Sequence, residues 1–139
     1  MTQPWSLWLL PDHRENRKYT RIIKKLSLRT GLPYFEPHLT LFGRIYASPE
    51  PLFEFFKNLA NEQKTISTRI KKVKFGTSYW KSLYIDIEKD TSLEALQKQM
   101  IVPINHLRDY LFDPHLSLAY GDGGKMRHIA KEIHLERFI

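Results

Sequence analysis

The sequence predicts an α+β fold of two similar lobes, each a small antiparallel sheet covered by helices, facing one another across a central cleft. Three observations predict it. Residues 35–41 read Phe-Glu-Pro-His-Leu-Thr-Leu and residues 112–118 read Phe-Asp-Pro-His-Leu-Ser-Leu, identical at five of seven positions. The other two positions exchange acid for acid and hydroxyl for hydroxyl. The offset between the copies, 115 − 38 = 77, also carries Ser6-Leu7-Trp8-Leu9-Leu10 onto Leu83-Tyr84-Ile85-Asp86-Ile87, both apolar and strand-like. Internal self-similarity of this kind constrains the architecture before local propensity does. Segments with helical spacing separate the runs, so the halves read β-α-β-α-β and β-α-β-α. The chain is therefore expected to be a single bilobal domain over residues 1–139, with an approximate repeat of 5–75 and 79–139.

The elements follow in order. Ser6 to Leu10 reads as a first strand, because no basic segment precedes it and no small-residue cleavage site follows, as a secretion signal would need. Asp12 and Glu15 form a capping-box pattern. Tyr19, Ile22, Ile23 and Leu26 then recur at the spacing of one apolar helix face, and Gly31 and Pro33 should stop that helix. The first motif makes the next strand. Ser48-Pro49 predicts another helix start, with Leu52, Phe55, Phe56 and Leu59 inward. Ile66 to Ile70 and Lys71 to Phe75 alternate and should pair with Tyr79 to Glu88. In the second half a helix opens near Asp90 or Thr91, carries Leu93, Leu96 and Met100, and ends or kinks at Pro103. Beyond the second motif, Gly121-Asp-Gly-Gly turns the chain into a shorter helix from about Lys125. Ile133 to Ile139 reads as helix end or strand start. By the offset, a counterpart of residues 66–75 falls beyond Ile139, so the second lobe is expected to be one strand short.

Composition narrows the function. Apolar residues are 42% of the chain and aromatics 13%, enough to build a core, which argues against disorder. No apolar run approaches the roughly 18 residues of a membrane span, so no membrane association is expected. Cysteine is absent, which excludes disulfides, thiolate zinc sites and cysteine nucleophiles. That fits a reducing cytoplasm, the expected location. A balance of 22 basic against 15 acidic residues, net +7, favours anionic partners such as nucleotides, RNA ends or phosphorylated metabolites. A monomer is expected.

The repeated motif carries the chemistry. On a strand, residues i and i+2 share a face. His38 therefore projects with Thr40 and His115 with Ser117, while Leu39, Leu41, Leu116 and Leu118 face the core. Pro37 and Pro114 hold the preceding residue extended and lack an N–H, so each motif starts where a strand begins. One His-x-Thr triplet means little by itself. Duplication alone, however, would preserve Leu and Phe without any reason to keep a histidine and a hydroxyl twice. Two histidines across a pseudo-two-fold suit the opening of a cyclic phosphodiester by water. One takes the proton of the attacking water and the other protonates the departing sugar oxygen. Imidazole, with an unperturbed pKa of about 6.5, serves as either near neutral pH. Thr40 and Ser117 would hold the non-bridging oxygens. The scheme needs no metal and no cofactor, and the chain has no H-E-x-x-H pattern.

At these residues the chain resembles a known family. Paired H-x-[ST] motifs resemble the signature of the 2H phosphoesterases. Ser6 to Pro11, Phe35 to Gly43, Gly76-Thr77, Leu83-Tyr84 and Pro114 to Asp122 look most similar to its cyclic phosphodiesterase branch. The resemblance covers most of residues 5–122. It implies a bilobal 2H phosphoesterase-like fold with pseudo-two-fold symmetry and no metal. It also implies hydrolysis of nucleoside 2′,3′-cyclic phosphates to 2′-phosphates, and of ADP-ribose 1″,2″-cyclic phosphate to ADP-ribose 1″-phosphate. His38 and His115 inherit the catalytic roles, and Thr40 and Ser117 the phosphate-binding roles. Tyr120 and Trp8 match aromatic positions that line the cleft, where they would contact a base or ribose. His115 as base and His38 as acid is the adopted assignment, which pseudo-symmetry leaves interchangeable. The alternatives are an RNA-end enzyme of the same superfamily, acting on 2′-5′ or 2′,3′-cyclic RNA 3′ ends, and a non-catalytic nucleotide- or RNA-end-binding module. His13, His106, His128 and His134 read as solvated or capping. Lys24-Lys25 and the basic run from Arg69 to Lys74 read as solvated faces.

Overall fold

A computed structural model describes residues 3–133 and residue 135. The reading of His134, and most of that of residues 133–139, lies outside the described residues. The element order is β1 (Trp5–Leu9), α1 (His13–Thr30), β2 (Leu39–Ile45), a 3-10 turn (Glu50–Leu52), α2 (Phe53–Glu62), β3 (Ile70–Ser78), β4 (Lys81–Ile87), α3 (Thr91–Met100), β5 (His115–Ala119) and α4 (Gly123–Glu132). The fold is α+β, and its strands and helices alternate as the two halves of the sequence require. No helix among the described residues is long and apolar enough to cross a membrane.

The strands do not divide into a separate sheet for each half. They form one antiparallel sheet in the order β1-β2-β5-β4-β3. The two motif strands meet at its centre through a single register pair, Leu39 with Leu116. A buried strand edge must find hydrogen-bond partners, and each motif finds them in its own copy. The junction is short for a reason already present in the sequence. Continued outwards, this antiparallel register sets Leu41 opposite Pro114 and Leu118 opposite Pro37, and proline has no N–H to offer a ladder. The Leu41 carbonyl is met instead by the buried side-chain amide of Gln97, which donates at 3.1 Å. Strand β3 pairs with β4, as the alternation of residues 66–75 predicts, which gives the ladder of the second half three strands and that of the first two.

Helix ends follow the predicted chemistry. Asp12 accepts from the Glu15 N–H at 2.9 Å at the start of α1, and Asp90 accepts from the Leu93 N–H at 2.8 Å at the start of α3. Helix α1 ends at Gly31, whose φ of 74° places it in the left-handed region and whose N–H reaches the Ser27 carbonyl. Side-chain carboxylates at helix starts satisfy N–H groups that the helix itself leaves unpaired. Tyr19, Ile22, Ile23 and Leu26 of α1 and Leu93, Leu96 and Met100 of α3 are buried against Leu39, Leu41, Leu116 and Leu118. Helix α2 departs from expectation. Leu52 and Phe56 pack on Phe42, Ile45 and Ile104, but Phe55 is 37% exposed. Leu59 also packs inward, and Phe55 lies at the edge of the face that these residues form.

Residues 66–69, expected as strand, are irregular, and β3 begins at Ile70. Helix α4 starts two residues earlier than expected, at Gly123, with Asp122 accepting from the N–H groups of Gly124 and Lys125. Its glycine start lets α4 lie directly on the β3–β4 hairpin. A Cβ on Gly123 would stand 2.1 Å from the Gly76 carbonyl oxygen, whereas one on Gly124 would meet only the Asp122 carboxylate at 3.2 Å. Gly123→Ala is therefore expected to destabilise the fold by about 1–3 kcal/mol through overpacking. Gly124→Ala should stay close to the parent. Urea unfolding of both variants checks this, and equal midpoints would refute the contact.

Candidate functional site

Both motif histidines are held in the same way. The His38 Nδ1 lies 2.7 Å from the Glu36 carbonyl oxygen, and the His115 Nδ1 lies 2.7 Å from the Asp113 carbonyl oxygen. A carbonyl oxygen only accepts, so in each ring Nδ1 carries the proton and donates it. Nε2 is then the nitrogen left for chemistry in both rings. The shared anchor follows from the motif: the proline between the histidine and the i−2 carbonyl keeps that turn extended.

The junction of the sheet sets the two motifs against each other. Leu39 and Leu116 are paired and buried. One residue outwards, the antiparallel register sets His38 opposite Ser117 and Thr40 opposite His115, on the face away from the leucines. The structure thus brings His38, Thr40, His115 and Ser117 together on one face. His38, Thr40 and His115 are half-buried and Ser117 is buried. The Ser117 hydroxyl donates to the Trp80 carbonyl at 3.3 Å, a long bond.

An aromatic side chain attends each histidine. Trp8 is the register partner of Thr40, and its indole stacks on the His38 ring with centroids 3.7 Å apart and planes 14° from parallel. Tyr84 is the register partner of Ser117, and its ring meets His115 edge-on at 5.4 Å. Trp8 remains 43% exposed, so one face is given to His38 while much of the side chain stays open. Tyr120 stacks on Phe35 at 4.1 Å and meets the edge of Trp80 at 5.0 Å. Burial, then the neighbouring Tyr79, raises its phenol pKa above the ordinary value. The Tyr79–Trp80 turn is exposed beside this cluster.

Electrostatics separate the two histidines. Burial lowers the His38 pKa below the ordinary imidazole value. The Glu36 carbonyl and carboxylate oppose that shift, and the charge of His115 adds to it. At the second motif, Lys81 passes 4.7 Å over the Tyr84 ring and forms an ion pair with Asp113. Asp86, the register partner of His115, pairs with Lys74 at 3.0 Å. Burial pushes the Asp86 carboxyl up, but Lys74, Lys71 and Lys81 together bring it below its usual range.

A cavity of about 680 Å³ is lined by Leu39, Leu41 and Leu116 and by neither histidine. Its lining also includes Trp8 and the polar Asp12, Glu15, Lys64 and Thr65, whereas the histidines stand on the face of the sheet away from the leucines. His13, His106 and His128 lie exposed, and His128 pairs with Glu132 at 2.9 Å. Lys24 sits over the Tyr34 ring. Sequence reasoning misses Phe35, Tyr84, Lys81 and Asp113 as parts of the site. A usable signal exists for Tyr84, because alternation along β4 puts it on the face opposite Leu83 and Ile85. Nothing in the sequence marks the Lys81–Asp113 pair.

Residues 1–137 match the sequence profile of a family described as cyclic phosphodiesterase-like protein. The chain belongs to that family. It is also similar to the protein named cyclic phosphodiesterase from Arabidopsis thaliana, with 20% identity over 118 residues. That match covers 85% of this chain and 65% of the relative. As a member of the cyclic phosphodiesterase-like family, the chain agrees with the resemblance carried by the paired H-x-[ST] motifs.

The His38 environment yields a pH prediction. In an NMR titration its ring should titrate below about 6.5, the unperturbed value. Trp8→Ala, which uncovers one ring face, should move it upward. Because folding lowers this pKa, the contribution of His38 to stability is complete above about pH 6.5 and is lost as pH falls through the folded value. A His38 that titrates at or above the ordinary value in the parent protein would contradict the assigned cause.

Proposed function

We propose that the chain is a hydrolase that opens cyclic phosphodiesters with water, using its two histidines as acid and base and no metal ion. The substrates proposed are nucleoside 2′,3′-cyclic phosphates, converted to 2′-phosphates, and ADP-ribose 1″,2″-cyclic phosphate, converted to ADP-ribose 1″-phosphate. The observation that carries the reading is the matched pair of Nδ1 anchors, which leaves an Nε2 free in each histidine on one face. Membership of the cyclic phosphodiesterase-like family and the name of the Arabidopsis relative support it. The chain spans about 65% of that relative's length.

In the proposed reaction one Nε2 removes a proton from water as the water oxygen bonds to phosphorus. The P–O3′ bond breaks, and the other Nε2 protonates the departing 3′ oxygen, leaving the phosphate on O2′. A base must start neutral, and burial favours neutral His38. His38 is therefore assigned as base and His115 as acid, the reverse of the preference reached on sequence. Thr40 and Ser117 would hold the non-bridging oxygens, the Ser117 hydroxyl turning from the Trp80 carbonyl to do so. Trp8, through its open face, and Tyr120 would border the base or ribose. We infer that the two halves are related by a pseudo-two-fold axis at the Leu39–Leu116 pair, since 39 + 77 = 116 makes equivalent residues partners. The histidine face between the halves would form the substrate cleft.

A second reading, the 2′,3′-cyclic end of an RNA, is favoured by the open histidine face and by Trp80, which is 58% exposed beside Tyr120. Stacking on such a ring tolerates any base.

Phosphorus NMR of 2′,3′-cyclic AMP with the protein in EDTA tests the proposal. Conversion to a 2′-monophosphate is expected, and His38→Ala and His115→Ala should each slow it by about 10²–10⁴. Thr40→Ala and Ser117→Ala should slow it less. Turnover that survives both histidine changes would refute the mechanism. Activity lost in EDTA and restored by a divalent ion would point to a metal. Running the same assay on a dinucleotide ending in a cyclic phosphate separates the two substrate readings.

A further inference from the structure

The two motifs match in histidine, hydroxyl, backbone anchor and aromatic neighbour, but they differ in charge. With Tyr84 in the place of Trp8, Lys81 corresponds to Trp5, so the first motif has no cation at the corresponding place. Lys81 lies along the second motif. At its backbone end, the adjacent Trp80 carbonyl accepts from the Ser117 hydroxyl. Its Nζ passes over the Tyr84 ring, whose edge meets His115. It ends on the Asp113 carboxylate, whose own backbone carbonyl holds His115. Its side chain thus spans the motif from hydroxyl to histidine.

We propose that Lys81 is the phosphate-binding cation of this site, an inference that rests on the function proposed above. When a substrate phosphate arrives beside His115 and Ser117, the ammonium leaves Asp113 and bonds a non-bridging oxygen. With the site empty, Asp113 neutralises it. Several features suit this exchange. The Asp113 side chain is 50% exposed and that of Lys81 30%, so water readily takes over the carboxylate. An ion pair this exposed contributes little to stability. A lysine on its flexible stem moves its three donors freely. The Tyr84 ring supports the ammonium through its π face. Lys74, on the same face, is held by Asp86 and is not available for the task.

A purely structural latch is the competing account: the pair would only fix the turn that presents His115. The two accounts predict different signs. Asp113→Asn keeps the backbone carbonyl that anchors His115 but releases Lys81. It should tighten binding of inorganic phosphate, followed through the His115 ring signals in NMR, by a few-fold. Lys81→Gln should weaken that binding by about tenfold, in line with loss of a charge-assisted bond. For 2′,3′-cyclic AMP, Lys81→Gln should raise KM more than it lowers kcat, and Lys81→Arg should restore most of the loss. Weakening in both Asp113→Asn and Lys81→Gln would establish the latch instead. No change in either, or no phosphate binding by the parent protein, would also overturn the proposal. The phosphate titration reads Lys81 without turnover, so a protein that hydrolyses nothing yet shows the opposite signs would sink the proposed activity and leave this inference standing.

Discussion

Leu39 and Leu116 pair across the middle of the sheet, and the rest of the site depends on that contact. Side chains alternate along a strand, so pairing the two inward leucines leaves the residues on either side of each to face outward together. A register slip of one residue would send the histidines into the core and the leucines to solvent. The prolines limit the junction to the residues that need it, since neither Pro37 nor Pro114 can extend the ladder. The same prolines hold the preceding residue extended, and the carbonyl of that residue meets each Nδ1 at 2.7 Å. One seven-residue pattern therefore fixes strand start, register, facing and tautomer at once.

Around these two like motifs the structure places unlike surroundings. His38 is covered by an indole and loses solvent, which favours its neutral form. His115 meets only the edge of a phenol and lies beside the Lys81–Asp113 pair. A reaction that uses one base and one acid gains from such a difference, because equal imidazoles would compete for the same proton. The proposed role of Lys81 extends this logic: its charge beside His115 is offset by Asp113 while the site is empty and would be offset by the phosphate once a substrate binds.

Much of this was legible in the residues. The repeat announced the motif strands, their facing and their four polar side chains, and aspartate caps announced the starts of α1 and α3. The union of the strands into one sheet was not legible, because which edges pair depends on where buried N–H and carbonyl groups find partners in three dimensions. The offset suggested that Trp8 corresponds to Ile85, yet the residue that occupies its place is Tyr84. The connection from this strand to the motif histidine is one residue longer in the second half, 115 − 84 = 31 against 38 − 8 = 30. The register irregularity between Leu7 and Trp8 recurs between Leu83 and Tyr84. An extra residue in a connecting segment leaves the fold unchanged, so an offset taken from the motifs misnames the partners in the strand before them. In α2 the spacing named Leu52, Phe56 and Leu59 correctly as inward but not the exposure of Phe55, which lies at the edge of the same face.

The placement of the histidines bears on what they would act upon. The cavity takes its lining from leucines of both motifs and from polar residues such as Glu15 and Lys64, and the histidines face outward beside an exposed aromatic turn and a lysine-bearing strand. A ligand recognised there would be held by charge and by stacking rather than by enclosure. Phosphate supplies the charge and a nucleobase the flat face, and both can be gripped while the remainder of a larger molecule stays in water. Such a face sets no upper bound on substrate size. Selectivity would then come from the spacing between the phosphate-binding groups and the aromatic rings, which the Tyr79–Trp80 turn holds through the bond from the Gly121 N–H to the Tyr79 carbonyl.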